Sequence, residues 1–113
     1  ATENFAFFDT DVCFIGHTHV AMYAMLKPDA VVAEVYALEP ETTLDLLPCR
    51  YLINPGSVGQ PRDRDPRAAY GILDTDVGSF TAKRVEYDIA ATQRQMAMAN
   101  LPDVLISRLS HGM

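Results

Sequence analysis

The sequence predicts a mixed α/β fold in which a strand-rich part comes first and helices follow. Short runs rich in β-branched and aromatic residues, separated by Pro and Gly, occupy residues 11–87 and indicate strands. From Ile89 onward, the composition changes to Ala, Gln, Met and Leu, which favour helix. The 113 residues, 49% of them hydrophobic, are enough for one small domain with a packed core.

The strand-rich part is predicted to contain five strands. Residues 1–8 are short and apolar and indicate the last turns of a helix. The run DVCFI (11–15) is apolar and predicts a strand buried on both faces. Segment 40–48 is expected to be a connection, with a short edge strand as the alternative. The other four strands are predicted at 30–37, 50–54, 68–74 and 79–87.

Turn residues separate these elements and end the strand-rich part. The segment NPGSVGQPRDRDPR (54–67) holds three prolines and two glycines, which indicate a loop, and its first four residues suit a type II turn. TDVG (75–78) predicts a hairpin turn. Helix is predicted over much of 89–110, broken at Asn100-Leu101-Pro102. The two helices are expected to pack back on the sheet through Ile89, Met96, Leu105, Ile106 and Leu109.

Charge and composition exclude some functions. The net charge is 9 − 15 = −6 and no basic cluster is longer than a few residues, so no nucleic-acid surface is expected. No apolar run has the length of a membrane span, so no membrane partner is expected either. Cys13 and Cys49 are expected to be buried thiols in a reducing cytosol, which predicts a cytoplasmic protein. An anionic substrate would need local positive charge from metal ions or single arginines.

Two of the three histidines stand in the stretch Gly16-His17-Thr18-His19, directly after the first predicted strand. A neutral imidazole is a good ligand for a divalent transition metal. In open α/β sheets, binding sites collect at the carboxyl ends of strands, and a glycine there lets the backbone turn. His17 and His19 are therefore candidate metal ligands. The alternative is a pair of partly exposed loop histidines without a function.

Three segments together carry a family resemblance. DVCFIGHTHV (11–20), LINPGSVGQPRD (52–63) and the tail RVEYDIAATQRQMAMANLPDVLISRL (84–109) resemble the C-terminal half of the calcineurin-like metallophosphoesterases. The likeness is strongest to the small prokaryotic phosphodiesterase and diadenosine-tetraphosphatase-like branch and covers nearly the whole chain. It implies that residues 1–113 form the C-terminal half of a four-layer sandwich, with two mixed sheets inside and helices outside.

The resemblance implies a hydrolase that cleaves phosphoesters, as a phosphatase or phosphodiesterase, at a binuclear centre. The two divalent ions would be manganese, iron, nickel or zinc, and a nucleotide is among the candidate substrates. His19 would bind the ion that an N-terminal Asp-x-His motif shares, and His17 would bind the second ion. No catalytic residue is assigned beyond these ligands.

The family's other metal-binding motifs, Asp-x-His, Gly-Asp-x-x-Asp and Gly-Asn-His-Asp/Glu, are not found in this sequence. The expected partner is therefore the N-terminal half of the same protein or a separate complementing chain, and this chain alone is expected to be inactive. The alternative function is a non-catalytic structural or interaction module with an incomplete metal centre.

The loop at 54–67 supplies the remaining candidates. Arg62 is a candidate ligand for a substrate phosphate, because a guanidinium can fork onto two phosphate oxygens. The alternative is a solvated loop in which Asp63 and Asp65 offset the charges of the arginines. The turn residues are expected to brace the site through local hydrogen bonds: Asn54, Gly56 and Ser57.

Overall fold

The computed structural model describes residues 1–113 and contains seven strands followed by two short helices. A 3₁₀ turn spans Thr2–Ala6 and another spans Arg108–Ser110. The strands are β1 (Val12–Phe14), β2 (Met22–Leu26), β3 (Glu34–Ala37), β4 (Thr43–Asp45), β5 (Arg50–Asn54), β6 (Ala68–Asp74) and β7 (Ser79–Val85). The helices are α1 (Ile89–Met98) and α2 (Asp103–Ser107).

Four strands form the first sheet, in the order β1-β5-β2-β3, and three form the second, in the order β4-β7-β6. In the first sheet β1 and β5 are parallel, with Val12 opposite Tyr51 and Phe14 opposite Ile53. All other neighbouring pairs are antiparallel. Because parallel strands end at the same edge of a sheet, the loop after β1 and the turn after β5 start side by side. This pairing positions the candidate site.

The main core lies between the two sheets. Side chains alternate along β5, so Tyr51 and Ile53 face the second sheet, where they join Phe80 and Ala82 in one buried cluster. Leu52 points to the other side of the first sheet and packs under the N-terminal 3₁₀ turn. A strand that is buried on both faces needs apolar residues at successive positions, as β5 has.

One prediction about the first sheet was wrong, and one of its strands was not predicted. β1 is not buried on both faces, because Phe14 and Ile15 are each 42% exposed. The strand lies at the sheet edge and pairs only with β5, and the 3₁₀ turn over Thr2–Ala6 covers its outer face only in part. The strand β2 was missed. Its sequence MYAML has Met, Ala and Leu, which favour helix, and pairing with β3 and β5 overrides that preference.

The second sheet is close to its prediction. β6 has the predicted bounds, β7 ends two residues early at Val85, and a short edge strand, β4, lies within segment 40–48. The hairpin turn is held by Asp74, whose Oδ1 accepts hydrogen bonds from the amides of Asp76 (3.0 Å) and Val77 (3.1 Å). In the first sheet, the strand predicted at 30–37 is shorter than expected and begins only at Glu34, as β3.

The two helices also form where they were predicted. α1 begins after Asp88, whose Oδ1 caps the helix by accepting a hydrogen bond from the Ala91 amide at 2.8 Å. The helices pack chiefly on each other, not on the sheets as expected, and the Gln93 side chain donates to the Ile106 carbonyl at 2.8 Å. Neither helix has the length and apolar character that crossing a membrane requires.

Candidate metal centre

The Gly-His-Thr-His loop is tied to the end of β5 by a buried asparagine. Asn54, which is 1% exposed, donates through Nδ2 to the Gly16 carbonyl (3.1 Å) and the Thr18 hydroxyl (2.9 Å). Its Oδ1 accepts a hydrogen bond from the Gly56 amide at 3.0 Å. One side chain thus braces its own turn and the histidine loop together, and both lie at the same end of the first sheet.

The turn after β5 requires glycine at position 56. Gly56 has a φ of 96°, which favours glycine, and a Cβ there would lie 2.7 Å from the Cβ of Ala69. Ser57 accepts hydrogen bonds from the Gln60 amide at its hydroxyl (3.0 Å) and from the Ala69 amide at its carbonyl (2.9 Å). The turn is therefore fixed against β6 as well as against the histidine loop.

His19 is held in one tautomer by a backbone carbonyl. Its Nδ1 lies 2.8 Å from the carbonyl oxygen of Gln60, and the side chain is half-buried. A carbonyl only accepts hydrogen bonds, so in the neutral imidazole Nδ1 carries the proton and Nε2 keeps its lone pair. Metal-binding histidines in proteins are commonly oriented in this way, with the second nitrogen donating to a carbonyl or carboxylate.

His17 is the more accessible of the two. It is exposed and its ring makes no hydrogen bond within the chain. Both histidines have left-handed backbones, with φ values of 78° and 61°, which are uncommon for residues with a side chain. Such conformations persist where surrounding contacts determine them. Here the contacts come from Asn54 and from the Arg62 amide, which donates to the His19 carbonyl at 3.0 Å.

The donors present fit a divalent transition metal only as part of a larger ligand set. Imidazole nitrogens suit manganese, iron, nickel or zinc. No group of three or more His, Cys, Asp or Glu side chains in the chain is arranged to hold an ion. An ion held by protein needs about three or four protein ligands. His17 and His19 are fewer ligands than such an ion needs, so they could form only part of its ligand set.

The arginines of the 54–67 loop are in different environments. Arg67 forms a two-pronged ion pair with Asp65, with Nε to Oδ1 at 3.0 Å and Nη2 to Oδ2 at 2.6 Å. This pairing lowers the pKa of Asp65 below its usual value. Arg62 and Arg64 are exposed and have no carboxylate partner. The Arg62 side chain makes one hydrogen bond, from Nη2 to Oε1 of Gln60 at 3.0 Å.

Two residues near the histidines were not singled out from the sequence. They are Gln60, whose carbonyl accepts from His19, and Arg84, which forms an ion pair with Asp63. In the alternative reading of the loop, Asp65 does offset a loop arginine, Arg67. Asp63 does not, because its partner Arg84 lies in β7 of the other sheet.

The comparisons with known proteins agree with this architecture. No protein-family model matches the sequence. An uncharacterized protein of Methanocaldococcus jannaschii is 36% identical over 104 residues, which are 90% of this chain and 40% of that protein. The crystal structure of a metallophosphoesterase from Sphaerobacter thermophilus superimposes with a TM-score of 0.89 at 48% identity.

The match to the Sphaerobacter structure covers 99% of this chain and 47% of that one, so the chain spans less than half the length of either relative. The likeness includes both sheets and the helices and is not confined to a local motif. Identity of 48% over almost every residue, together with the shared two-sheet fold, shows that this chain belongs to the calcineurin-like metallophosphoesterase superfamily.

Proposed function

We propose that this chain is the C-terminal part of a metallophosphoesterase domain and that the complete protein hydrolyses phosphoesters. In this proposal His19 is a ligand of one divalent ion and His17 of a second. The observation that carries it is the hydrogen bond from His19 Nδ1 to the Gln60 carbonyl, which leaves Nε2 free to bind metal. When bound, the two ions supply Lewis acidity toward the phosphoryl oxygens and a nucleophile derived from water.

The chain's own residues have three roles in this proposal. His19 offers a nitrogen of fixed tautomer, and His17 offers an exposed ring that can turn toward an ion. Arg62 extends from the backbone that holds His19, and its guanidinium has no carboxylate partner in the chain. A guanidinium that no carboxylate neutralises is suited to bind a substrate phosphate through two parallel hydrogen bonds.

The isolated chain and the complete protein should differ in activity. We expect the complete protein to hydrolyse bis(p-nitrophenyl) phosphate in the presence of manganese or zinc, and to stop when the metal is chelated. Residues 1–113 alone should hydrolyse it no faster than buffer with the same metal, because two histidines cannot fix two ions in place. The measurement is metal-dependent release of p-nitrophenol. Full activity of the isolated chain would contradict the proposal.

The second candidate function is a non-catalytic structural or interaction module. The lack of a three-ligand cluster within the chain favours it. The two functions differ in the segment that completes the domain. If that segment has the Asp-x-His, Gly-Asp-x-x-Asp and Gly-Asn-His motifs, the hydrolase is supported. A complete protein that lacks them, and is inactive with all four metals, would support the module.

We also propose that the remainder of the domain covers the outer face of the first sheet, as an N-terminal half of the same protein or as a complementing chain. A groove of about 470 Å³ there is lined by six residues, five of them hydrophobic: Asn4, Phe7, Phe8, Cys13, Ile15 and Leu52. The radius of gyration of the chain is 16.2 Å, which is larger than the value of about 13 Å expected for a compact chain of this length.

This outer face should make the isolated chain associate. Phe7 is 86% exposed, Ile15 42% and Val35 49%, and apolar faces of this kind are rare in monomers. We expect sedimentation of residues 1–113 to show oligomers at high concentration. Ile15→Glu should reduce the association, whereas Val77→Glu, in the distant hairpin turn, should not. A compact monomer at all concentrations would contradict the proposed partner.

A further inference from the structure

A buried ion pair joins the second sheet to the loop behind His19. Arg84 of β7 is 6% exposed at its side chain and donates through Nη2 to Oδ2 of Asp63, whose side chain is 14% exposed. Its Nη1 donates to the carbonyls of Asp65 (3.3 Å) and Arg67 (3.1 Å). One guanidinium thus fixes the course of the loop at three points.

The segment 60–63 in turn contacts the histidine loop at three points. The Gln60 carbonyl accepts from the His19 ring at 2.8 Å, and the Arg62 amide donates to the His19 carbonyl at 3.0 Å. The Ala21 amide donates to Asp63 Oδ2 at 3.2 Å, so the carboxylate that binds Arg84 also binds the backbone two residues after His19. One short segment therefore holds the ring of His19, its carbonyl and the backbone that follows it.

We propose that Arg84 and Asp63 are positioning residues for His19. The Arg84–Asp63 pair fixes segment 60–63, and this segment keeps His19 in the Nδ1-protonated tautomer with Nε2 free. The expected effect on metal binding rests on the proposed function, whereas the tautomer of His19 is a property of this chain itself. The left-handed backbone of His19, with a φ of 61°, needs such support to persist.

Removing one partner of a buried pair leaves the other charged and poorly solvated, so the loop should rearrange to hydrate it. In Arg84→Met, Asp63 loses its ion partner and the carbonyls of Asp65 and Arg67 lose their donor. Rearrangement of segment 60–63 withdraws the Gln60 carbonyl from the His19 ring. Both neutral tautomers of His19 then become accessible, and only one of them has Nε2 free.

The test is ¹⁵N NMR of the imidazole nitrogens in the complete, metal-free protein under alkaline conditions, where imidazoles are neutral. The parent should show His19 protonated at Nδ1 alone. Arg84→Met should show a mixture of tautomers, and Asp63→Asn a smaller shift in the same direction. The matched control is Lys83→Met on the same strand, which removes a surface ion pair with Glu41 and should leave the His19 signals unchanged.

A manganese titration then measures the consequence. Loss of the group that orients a metal-binding histidine typically weakens metal binding about tenfold to a hundredfold, and we expect this range for Arg84→Met. Unchanged His19 tautomers in folded Arg84→Met would overturn the inference. If Arg84→Met does not fold, unchanged tautomers in Asp63→Asn would overturn it. A changed tautomer, with metal binding insensitive to His19→Ala, would support positioning and refute the proposed function instead.

Discussion

Replacing His19 by alanine in the complete protein is expected to remove most of the metal-dependent hydrolysis without unfolding the protein. The side chain lies in a loop and is only half-buried, so its loss opens no cavity in either core cluster. Changes to residues that merely orient a metal ligand already cost about tenfold to a hundredfold. Loss of a ligand should therefore cost at least about a hundredfold in activity. His17→Ala should act in the same way through the second ion.

The measurement combines the hydrolysis rate, the metal content per protein and the midpoint of thermal unfolding. His111 is the matched control, because it is the third histidine of the chain, is exposed, and bonds only locally, to Ser107 and Ser110. His111→Ala should keep full activity and metal content. Full activity of His17→Ala or His19→Ala, with metal content unchanged, would show that the histidine pair takes no part in the mechanism.

Changing Asn54 to aspartate should destabilise the protein strongly, although the two side chains have nearly the same shape. The side chain is 1% exposed, and its Nδ2 donates to both Gly16 and Thr18. An oxygen in place of Nδ2 would face the Gly16 carbonyl, so two acceptors would meet where a hydrogen bond was, and a negative charge would be buried. We expect the free energy of unfolding to fall by about 2–4 kcal/mol, and the Gly-His-Thr-His loop to lose its fixed position.

Urea unfolding of the complete protein measures the stability, and manganese binding measures the effect on the loop. Gln95→Glu is the control, since it makes the same amide-to-carboxylate change at an exposed position of α1. Its free energy of unfolding should change by less than about 0.5 kcal/mol. An Asn54→Asp protein with the stability and metal affinity of its parent would show that Asn54 does not couple the turn to the histidine loop.

The strands that the sequence predicted well are those whose apolar pattern is local. β5 is apolar at successive positions because both of its faces are buried, and β6 and β7 are bounded by clear turn residues. β2 was missed because its residues favour helix in isolation, and only its neighbours in the sheet make it a strand. The exposure of Phe14 and Ile15 could not be inferred either, because it depends on what lies beside an edge strand.

The meeting of the histidine loop with the turn after β5 was predictable, because His17 and His19 follow one strand end and Asn54 ends another. The contacts that support His19 could not be predicted from the sequence. Gln60 acts through a backbone carbonyl, which any residue has. Arg84 stands 21 residues from Asp63 within an ordinary strand pattern, so no local signal connects them.

The position of the metal ions in the complete protein tests the role of His17 and His19 most directly. Crystals grown with zinc would show the ions by anomalous diffraction. We expect two ions, one about 2.1 Å from His19 Nε2 and the other at a similar distance from a ring nitrogen of His17. Ions with neither histidine in their coordination sphere would contradict the claim that the Gly-His-Thr-His loop supplies metal ligands.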